Sequence, residues 1–305
     1  MGFPVGVTLP VDHIDLPDEF MTMDAVRDMA QALEAAGFDT ASVTDHPIPG
    51  TRWLENGGHY AQDPFVMLAL IAAVTTRLRL QTNILVLPYR NPFITARAVS
   101  SLDVFSGGRV SLGVGAGYLK AEYKALGVDL DRRNELMSEY ATAMKLAWKG
   151  EDFAFEGSGY SAPGNRMLPT PVQKPHPPLV VGGNSRMAIR HAVEFGDAWN
   201  PFFAPATVSK TARTTSFSGE DDLEAGLAYL KEHCEKIGRE VPPELHLSGL
   251  TAITPEYDRQ EMVDTLSDYR SRGVKAVTLM IATEQRSAWC ELAHDFGEKV
   301  IAKLD

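Results

Sequence analysis

Residues 178–201 read PLVVGGNSRMAIRHAVEFGDAWNP, and this stretch contains the complete strand–helix–strand unit that decides the fold. The run Leu179–Val181 is short, apolar and bounded by proline and glycine, as is typical of a buried strand. The turn Gly182–Ser185 follows, and its asparagine and serine are both suited to cap a helix over Arg186–Phe195. Gly196 ends this helix, and a second strand begins directly after it. Two strands joined by a crossing helix predict a parallel sheet.

The same order recurs along the chain: an amphipathic helix, a glycine, and then an apolar run. Glycine tolerates the left-handed conformation that follows many helices, so the repetition has a physical cause. The predicted strands are Val5–Thr8, Thr40–Thr44, Leu78–Leu87, Val110–Val114, Leu179–Val181, Asp197–Asn200, Leu245–Leu250 and Ala276–Ile281. About eight strands that alternate with helices predict a (β/α)8 TIM barrel in one domain over residues 1–305. An open doubly wound sheet is the alternative.

Two segments interrupt this alternation, and we expect them to be insertion loops at the C-terminal face of the barrel. Residues 151–177 are rich in glycine and proline, with aromatic residues spaced among them, and predict a loop with a short hairpin. Residues 202–222 are rich in threonine, serine and proline, which predicts a mobile excursion over one end of the barrel.

The composition is that of an ordinary soluble globular protein, with 44% hydrophobic and 23% charged residues among 305. The formal net charge of -11 would repel nucleic acid and an anionic membrane surface. We find no export signal and no apolar run long enough to span a membrane, so a cytoplasmic protein is expected. Cys234 and Cys290 match no metal or redox spacing, and there is no HExxH, so no metal is expected.

In a barrel of this type the active site forms at the C-terminal ends of the strands. Four polar or glycine-rich clusters fall there, and they are Thr44–Pro47, Gln81–Ile84, Gly113–Tyr118 and Gly182–Ser185. His46 in the first cluster could exchange a proton near neutral pH, and a structural histidine is the alternative. For the second cluster, the alternative to a binding site is a polar break in a buried strand. In the third, the alternating glycines let a flat ligand or a backbone approach closely.

The fourth cluster is a glycine-rich turn that opens a helix. Such a turn presents free backbone N–H groups and the positive end of the helix dipole, which together bind phosphate. Arg186 would add positive charge, and an ordinary strand–helix turn is the alternative. The GxGxG of residues 113–117 lacks the spacing of a dinucleotide fold, and the chain has no GxSxG of a serine hydrolase. The remaining interpretation is a planar cofactor that carries a phosphate and lies across the barrel mouth.

Residues 63–128, DPFVMLALIAAVTTRLRLQTNILVLPYRNPFITARAVSSLDVFSGGRVSLGVGAGYLKAEYKALGV, and residues 178–201 resemble the bacterial luciferase-like superfamily. The resemblance is closest to its branch of coenzyme F420-dependent oxidoreductases. It implies a (β/α)8 barrel with the flavin or deazaflavin ring against the third strand, and a non-prolyl cis peptide bond at Asn83–Ile84 behind the ring. His46 would lie at the ring as a proton donor or polar group of the hydride site, and Asp45 would contact the cofactor.

The full set of predicted site residues depends on this resemblance. The predicted catalytic residue is His46. The predicted cofactor-binding residues are Asp45, Thr82, Asn83, Ile84, Gly115, Ala116, Gly117, Gly182, Gly183, Asn184 and Ser185. Members that use FMN often carry an arginine near the position of Ala116, so the alanine favours the deazaflavin. Tyr118 stands where the sugar-phosphate dehydrogenases of this branch carry a glutamate, and Trp53 is out of place for their tryptophan, so their substrate is not transferred to this chain.

The resemblance implies an oxidoreductase that transfers a hydride between coenzyme F420 and a small organic substrate. The first alternative is an FMN-dependent monooxygenase that uses O2 and receives reduced flavin from a separate reductase. The second is a non-catalytic flavin-binding barrel.

A homodimer is also expected, because luciferase-like barrels usually pair through helices. The apolar helix over residues 65–74 fits an interface, although a core-facing stripe explains its composition equally well. The acidic surface opposes a polyglutamate tail on the cofactor, and four basic residues are expected to offset it locally: Arg52, Arg90, Lys120 and Lys124. The candidate substrate contacts are His13, Trp53, His59, Tyr60 and Phe202.

Overall fold

The computed structural model describes residues 2–204, Ser209 and residues 214–304. Eight of its strands are parallel and form a closed barrel, so the predicted (β/α)8 barrel is confirmed and the open-sheet alternative is wrong. The strands in chain order are β1 (Val5–Thr8), β2 (Thr40–Val43), β3 (Arg79–Val86), β4 (Val110–Gly115), β5 (Phe153–Gly157), β6 (Tyr160–Asn165), β7 (Leu179–Gly182), β8 (Ala198–Asn200), β9 (Glu244–Ser248) and β10 (Val274–Met280). Strands β5 and β6 form a separate antiparallel hairpin.

The barrel closes because β1 pairs with both β2 and β10. Val5 lies opposite Val277 of β10, and Gly6 lies opposite Thr40 of β2. The order around the barrel is β1, β2, β3, β4, β7, β8, β9, β10. Since every pair is parallel, the carboxyl ends of all eight strands meet at one face, where the connecting loops can build a site.

Helices cover the outside of the barrel. In chain order they are α1 (Pro17–Phe20), α2 (Met23–Ala36), α3 (Thr51–Leu54), α4 (Pro64–Val74), α5 (Pro92–Ser106), α6 (Lys120–Ala125), α7 (Arg133–Ala147), α8 (Arg186–Glu194), α9 (Glu220–Ile237), α10 (Arg259–Ser271) and α11 (Arg286–Lys299). Gly37 and Gly107 end α2 and α5 with φ of 87° and 70°, which confirms the left-handed helix ends predicted for them.

Gly196, after α8, is glycine for a different reason from the one predicted. Its φ lies outside the left-handed region, so the expected helix-ending conformation is wrong. A Cβ atom at this position would lie 2.9 Å from both the Ala192 Cα and the Val181 Cγ2. Glycine is therefore required by the close approach of the chain to the end of α8 and to β7.

The hairpin predicted within residues 151–177 is confirmed by β5 and β6. Phe93 at the start of α5 contacts the rings of Phe153 and Tyr160, with ring centroids 5.5 Å apart in each case. In the excursion predicted over residues 202–222, residues 205–208 and 210–213 lie outside the described residues. Its two described ends are joined by an antiparallel bridge between Ala204 and Phe217.

In the part of the chain that the structure describes, no helix has the length and apolar character needed to cross a membrane.

Candidate active site

The carboxyl ends of the barrel strands surround a cavity of about 1130 Å³. This volume is at the upper end of the range for small-molecule and cofactor sites. The predicted site residues on its wall are Asp45, His46, Asn83, Ile84, Gly115, Ala116, Gly117, Gly182, Gly183, Asn184 and Ser185. Thr82 lies instead between two strands, where its hydroxyl donates to the Gly113 carbonyl at 2.6 Å. It therefore braces β3 against β4.

The peptide bond between Asn83 and Ile84 is cis, as the resemblance implied. The pairing register of β3 with β4 shifts at the same place, between Thr82 and Leu85. The strand thus bulges at the point where Asn83 and Ile84 reach the cavity wall.

The glycines of β4 and β7 make room for the side chain of this bulge. A Cβ atom at Gly115 would lie 2.2 Å from Ile84 Cδ1, and one at Gly182 would lie 2.9 Å from Ile84 Cγ2. Gly117, just after β4, packs against Val86 at the end of β3, since a Cβ atom there would lie 2.5 Å from Val86 Cγ1. The glycines therefore make room for the side chains of Ile84 and Val86. Ile84 remains on the cavity wall.

His46 ends a network of buried side chains. Its Nδ1 lies 3.2 Å from Oε2 of Glu122, and the two side chains are 8% and 0% exposed. Glu122 also accepts a hydrogen bond from the Tyr89 hydroxyl at 2.9 Å and one from the Ile48 N–H at 3.3 Å. Burial, together with the charge of Glu122 and the hydrogen bond to it, raises the pKa of Tyr89, which therefore stays a hydroxyl donor.

Glu122 was not among the predicted residues. It lies 76 residues from His46 in the chain, on the short helix α6, and its neighbours in sequence match no catalytic motif. Only the folded chain brings the carboxylate to the histidine.

Three aromatic rings lie beside His46. The ring centroids of Trp53, His59 and Tyr118 lie 4.7, 4.8 and 6.2 Å from that of His46. Trp53 is thus next to the histidine. Of the five candidate substrate contacts, His13, His59 and Phe202 line the cavity, whereas Trp53 and Tyr60 are not among the described wall residues.

His59 forms a second pair with a carboxylate at the cavity wall. Its Nδ1 lies 3.3 Å from Asp12 Oδ2 and 2.9 Å from the Tyr60 carbonyl oxygen. Burial lowers the pKa of His59, but the hydrogen bonds to Asp12 and Tyr60 and the charges of Asp12 and Glu122 outweigh it, so the net pKa is raised.

Asp45 accepts three hydrogen bonds from two neighbours, Val86 and Arg90. One oxygen accepts from the Val86 N–H at 3.0 Å and from Arg90 at 2.6 Å, and the other accepts from Arg90 at 3.0 Å. Arg90 also reaches Asp63 at 3.3 Å. Arg90, which is expected to offset the charge of a cofactor tail, is thus already paired with two carboxylates.

The predicted phosphate turn opens α8 as expected. Ser185 caps the helix, and its side-chain oxygen accepts from the Ala188 N–H at 3.1 Å. The N–H groups of Arg186 and Met187, in the first turn, have no partner within the helix and are available to an anion. Gly183 has a φ of 126°, a conformation that favours glycine.

Asn184 has a different role from its neighbours in the turn. Its side-chain amide donates to the carbonyls of Phe202 and Thr215 at 2.9 and 3.1 Å, and its oxygen accepts from the Phe202 N–H at 2.9 Å. These three bonds tie both ends of the 202–222 excursion to the turn, so Asn184 shapes the cavity through the backbone that it holds.

The basic residue on the cavity wall is one that the sequence did not indicate. The guanidinium of Arg186 lies over the ring of Tyr229, 5.0 Å from its centroid. Among the residues that the structure describes, Arg133 at the start of α7 is the one lysine or arginine on the cavity wall. His191 of α8 lines the same end, and burial lowers its pKa, which favours the neutral ring.

Asn200, at the end of β8, was also missed. It is 3% exposed and lines the cavity, and its amide donates to the Asn83 side-chain oxygen at 3.3 Å. Its own oxygen has no hydrogen-bond partner among the described residues. Buried polar atoms are nearly always paired, so this oxygen indicates a donor supplied by a ligand. A polar residue that ends a buried strand was the available signal.

Known proteins that are similar to this chain share its architecture and differ in their cofactors. A model of the luciferase-like monooxygenase family matches residues 3–289. An uncharacterised protein of Mycobacterium tuberculosis is 29% identical over 90% of this chain and 94% of its own length. The FMNH(2)-dependent dimethylsulfone monooxygenase of Pseudomonas putida is 32% identical over 54% of this chain and 45% of its own length.

Among solved structures, an F420-dependent secondary alcohol dehydrogenase in complex with an F420–acetone adduct superposes with a TM-score of 0.76. The two chains are 18% identical, and the superposition covers 100% of each of them. At that identity the likeness shows the fold alone. The relatives therefore include both F420-dependent and FMN-dependent proteins, and they leave the cofactor of this chain undecided.

Proposed function

Because the chain belongs to the luciferase-like monooxygenase family, we propose that it is an oxidoreductase that transfers a hydride between coenzyme F420 and a small organic substrate. The observation that carries this proposal is the position of His46. It is a buried histidine, paired with a carboxylate, on the wall of a cofactor-sized cavity beside the Asn83–Ile84 bulge.

The residues present fit a planar cofactor with a phosphate. The unpaired Asn200 oxygen would accept from a ring N–H group, and the bulge at Ile84 would support one face of the ring. The phosphate would lie at the N–H groups that open α8, with Arg133 as its counter-charge. When bound, a deazaflavin supplies a hydride donor or acceptor at its ring.

His46 would handle the proton that accompanies the hydride. With Nδ1 against Glu122, its Nε2 is left for a group in the cavity. In alcohol oxidation Nε2 would take the hydroxyl proton while the carbon that bears this hydroxyl gives up a hydride to the bound deazaflavin. In the reverse direction Nε2 would return the proton to the carbonyl oxygen. The cavity wall as a whole is largely apolar, which suits a small uncharged substrate.

Binding experiments on the cofactor-free protein test the cofactor. We expect F420 to bind at least tenfold more tightly than FMN, measured by fluorescence. Ala116→Arg is the matched variant, because the alanine lines the cavity where FMN-dependent members often carry an arginine. It should strengthen FMN binding and leave F420 binding little changed. Tight FMN binding by the unmodified protein, with none for F420, would refute the cofactor assignment.

The second candidate is a monooxygenase that uses O2 and reduced FMN supplied by a separate reductase. It is favoured by the similarity to the dimethylsulfone monooxygenase, which is FMNH(2)-dependent. Oxygen uptake with chemically reduced FMN, lost in His46→Asn, would support it. If the unmodified protein binds a flavin but turns over no substrate with either cofactor, the non-catalytic flavin-binding barrel becomes the better description.

We also propose a homodimer in which α4 meets α4 of a second copy. The core-facing stripe considered above exists, since Met67, Leu68 and Ile71 are buried. The opposite side is nevertheless apolar too, and Val66 there is 58% exposed. A surface of this kind favours a protein partner. Sedimentation should give a dimer, and Val66→Asp should give a monomer with an unchanged circular dichroism spectrum.

A further inference from the structure

Glu122 is an ionisable side chain with no exposed surface. Burial of a carboxylate is costly unless hydrogen bonds compensate for the lost hydration. Its oxygens accept from the Tyr89 hydroxyl at 2.9 Å and from the Ile48 N–H at 3.3 Å, and Oε2 also lies 3.2 Å from His46 Nδ1. A carboxylate oxygen can accept a further hydrogen bond from His46 when Nδ1 carries the proton.

This network opens onto the cavity at a single described position. His46 lines the wall, whereas Glu122, Tyr89 and Ile48 are not among the wall residues that the structure describes. A carboxylate that served only to hold α6 in place would be satisfied by the Tyr89 hydroxyl and the Ile48 N–H. The third bond, to the one histidine of the network that faces the cavity, is the one that a purely structural role does not explain.

We propose that Glu122 is the positioning residue for His46: it keeps a proton on Nδ1 and thereby presents Nε2 to the substrate. In the neutral histidine Nε2 then carries the lone pair that accepts a proton, and in the charged histidine it carries the N–H that donates one. The inference rests on the proposed hydride transfer for its chemical meaning. Its physical content, the proton position, can be measured without any cofactor.

The surroundings of His46 determine the sign of the effect. Glu122 on α6 and Asp45 on β2's loop are negative and favour a charged His46, although Arg90 neutralises Asp45. His59, paired with Asp12, opposes that charge when it is itself protonated. The other rings that face His46 belong to Trp53 and Tyr118. Loss of the Glu122 charge alone should therefore disfavour the charged form of the His46 ring.

The test is a pH titration of the full chain labelled with 15N-histidine, followed by two-bond proton–nitrogen correlation. The His46 signals are identified by their loss in His46→Asn. In the unmodified protein we expect the neutral ring to carry its proton on Nδ1. Glu122→Gln keeps the shape of the side chain but removes the charge, and it should lower the proton affinity of His46 at least tenfold.

Tyr89→Phe is the matched control, because it removes another hydrogen bond to Glu122 and leaves the carboxylate in place. It should preserve the Nδ1 proton and should not lower the proton affinity of His46, so only Glu122→Gln should weaken proton binding. A neutral His46 with its proton on Nε2 in the unmodified protein overturns the inference even if Glu122→Gln does not fold. An unchanged titration in a folded Glu122→Gln variant overturns it as well.

The result is separable from the fate of the proposed function. If the protein binds neither F420 nor FMN but the Nδ1 proton and the Glu122→Gln shift are found, the positioning role stands and the hydride-transfer proposal fails. If a cofactor binds and the histidine titration is insensitive to Glu122, the reverse holds.

Discussion

The two ends of the barrel use their charged side chains in different ways. At the amino ends of the strands, charged groups bind main-chain atoms. Glu34 accepts from the N–H groups of residues 76–78 at 2.6–2.9 Å, and Arg109 donates to the carbonyls of Ala72, Thr75 and Leu78 at 2.8–3.2 Å. Arg239 binds the carbonyls of residues 192, 193 and 196 in the same way.

At the carboxyl ends, charged groups bind other side chains around the cavity. His46 pairs with Glu122, Asp45 with Arg90, and His59 with Asp12. The contrast has a physical basis. A charged side chain that bonds to the main chain satisfies backbone N–H and carbonyl groups at the ends of strands and helices, and so stabilises the fold. Paired ionisable side chains at a cavity can instead exchange protons with a ligand. We therefore expect substitutions at the first end to change stability and those at the second to change binding and turnover.

The largest expected effect concerns the carboxyl face. His46→Asn should lower kcat of F420-dependent alcohol oxidation about 10²- to 10⁴-fold, because a positioned acid–base group contributes that much. The free energy of unfolding in urea should change by less than about 1 kcal/mol, since the asparagine retains a polar group at Glu122. A stability loss that accounts for the lost turnover would remove the distinction between the two faces.

At the amino face, Arg109→Ala should destabilise the protein by about 3 kcal/mol, because several backbone carbonyls lose a charged donor. Urea denaturation measures this loss, and F420 affinity measured in the folded range should stay the same. Arg77→Ala is the control: the exposed Arg77 makes a single side-chain bond to the Glu34 carbonyl, so its loss should cost no more than about 0.5 kcal/mol. Equal effects for the two arginines would contradict the interpretation.

Gly115→Ala tests the wall between the two regions. The new methyl group would lie 2.2 Å from Ile84 Cδ1 and must displace it. We expect a stability loss of about 1–3 kcal/mol, together with weaker cofactor binding because the bulge moves. Gly219→Ala is the matched control, since nothing lies within 4 Å of its Cβ position. Unaltered binding in a destabilised Gly115→Ala protein would show that the bulge does not support the ring.

The smallest effect is the pH dependence of the His59–Asp12 pair. The folded-state pKa of His59 is raised, so its contribution is fully present below the unfolded pKa and is lost as pH rises through the folded value. His59→Gln should therefore reduce stability more at pH 6 than at pH 9. Because the side chain is 44% exposed, solvent screening should keep the difference below about 1 kcal/mol. A larger loss at pH 9 would show that the pair does not act through charge.

Much of the architecture was predictable because its signals are local. Alternating helices and apolar runs predicted the barrel, and glycines such as Gly37 and Gly107 marked helix ends through a backbone preference of the residue itself. The resemblance predicted the cis bond at Asn83–Ile84. The same local logic failed at Gly196, where contacts with Val181 and Ala192 rather than a left-handed turn require the glycine.

The sequence by itself determined the barrel, the face that carries the site and the strand ends that reach it, because periodicity and turn chemistry act over a few neighbouring residues. Only the tertiary structure decided which side chains meet there. It joined His46 to Glu122 across 76 residues, brought Arg133 to the cavity in place of Arg186, and left the Asn200 oxygen unpaired. Such contacts depend on how distant loops pack over the barrel mouth, and no spacing along the chain records that packing.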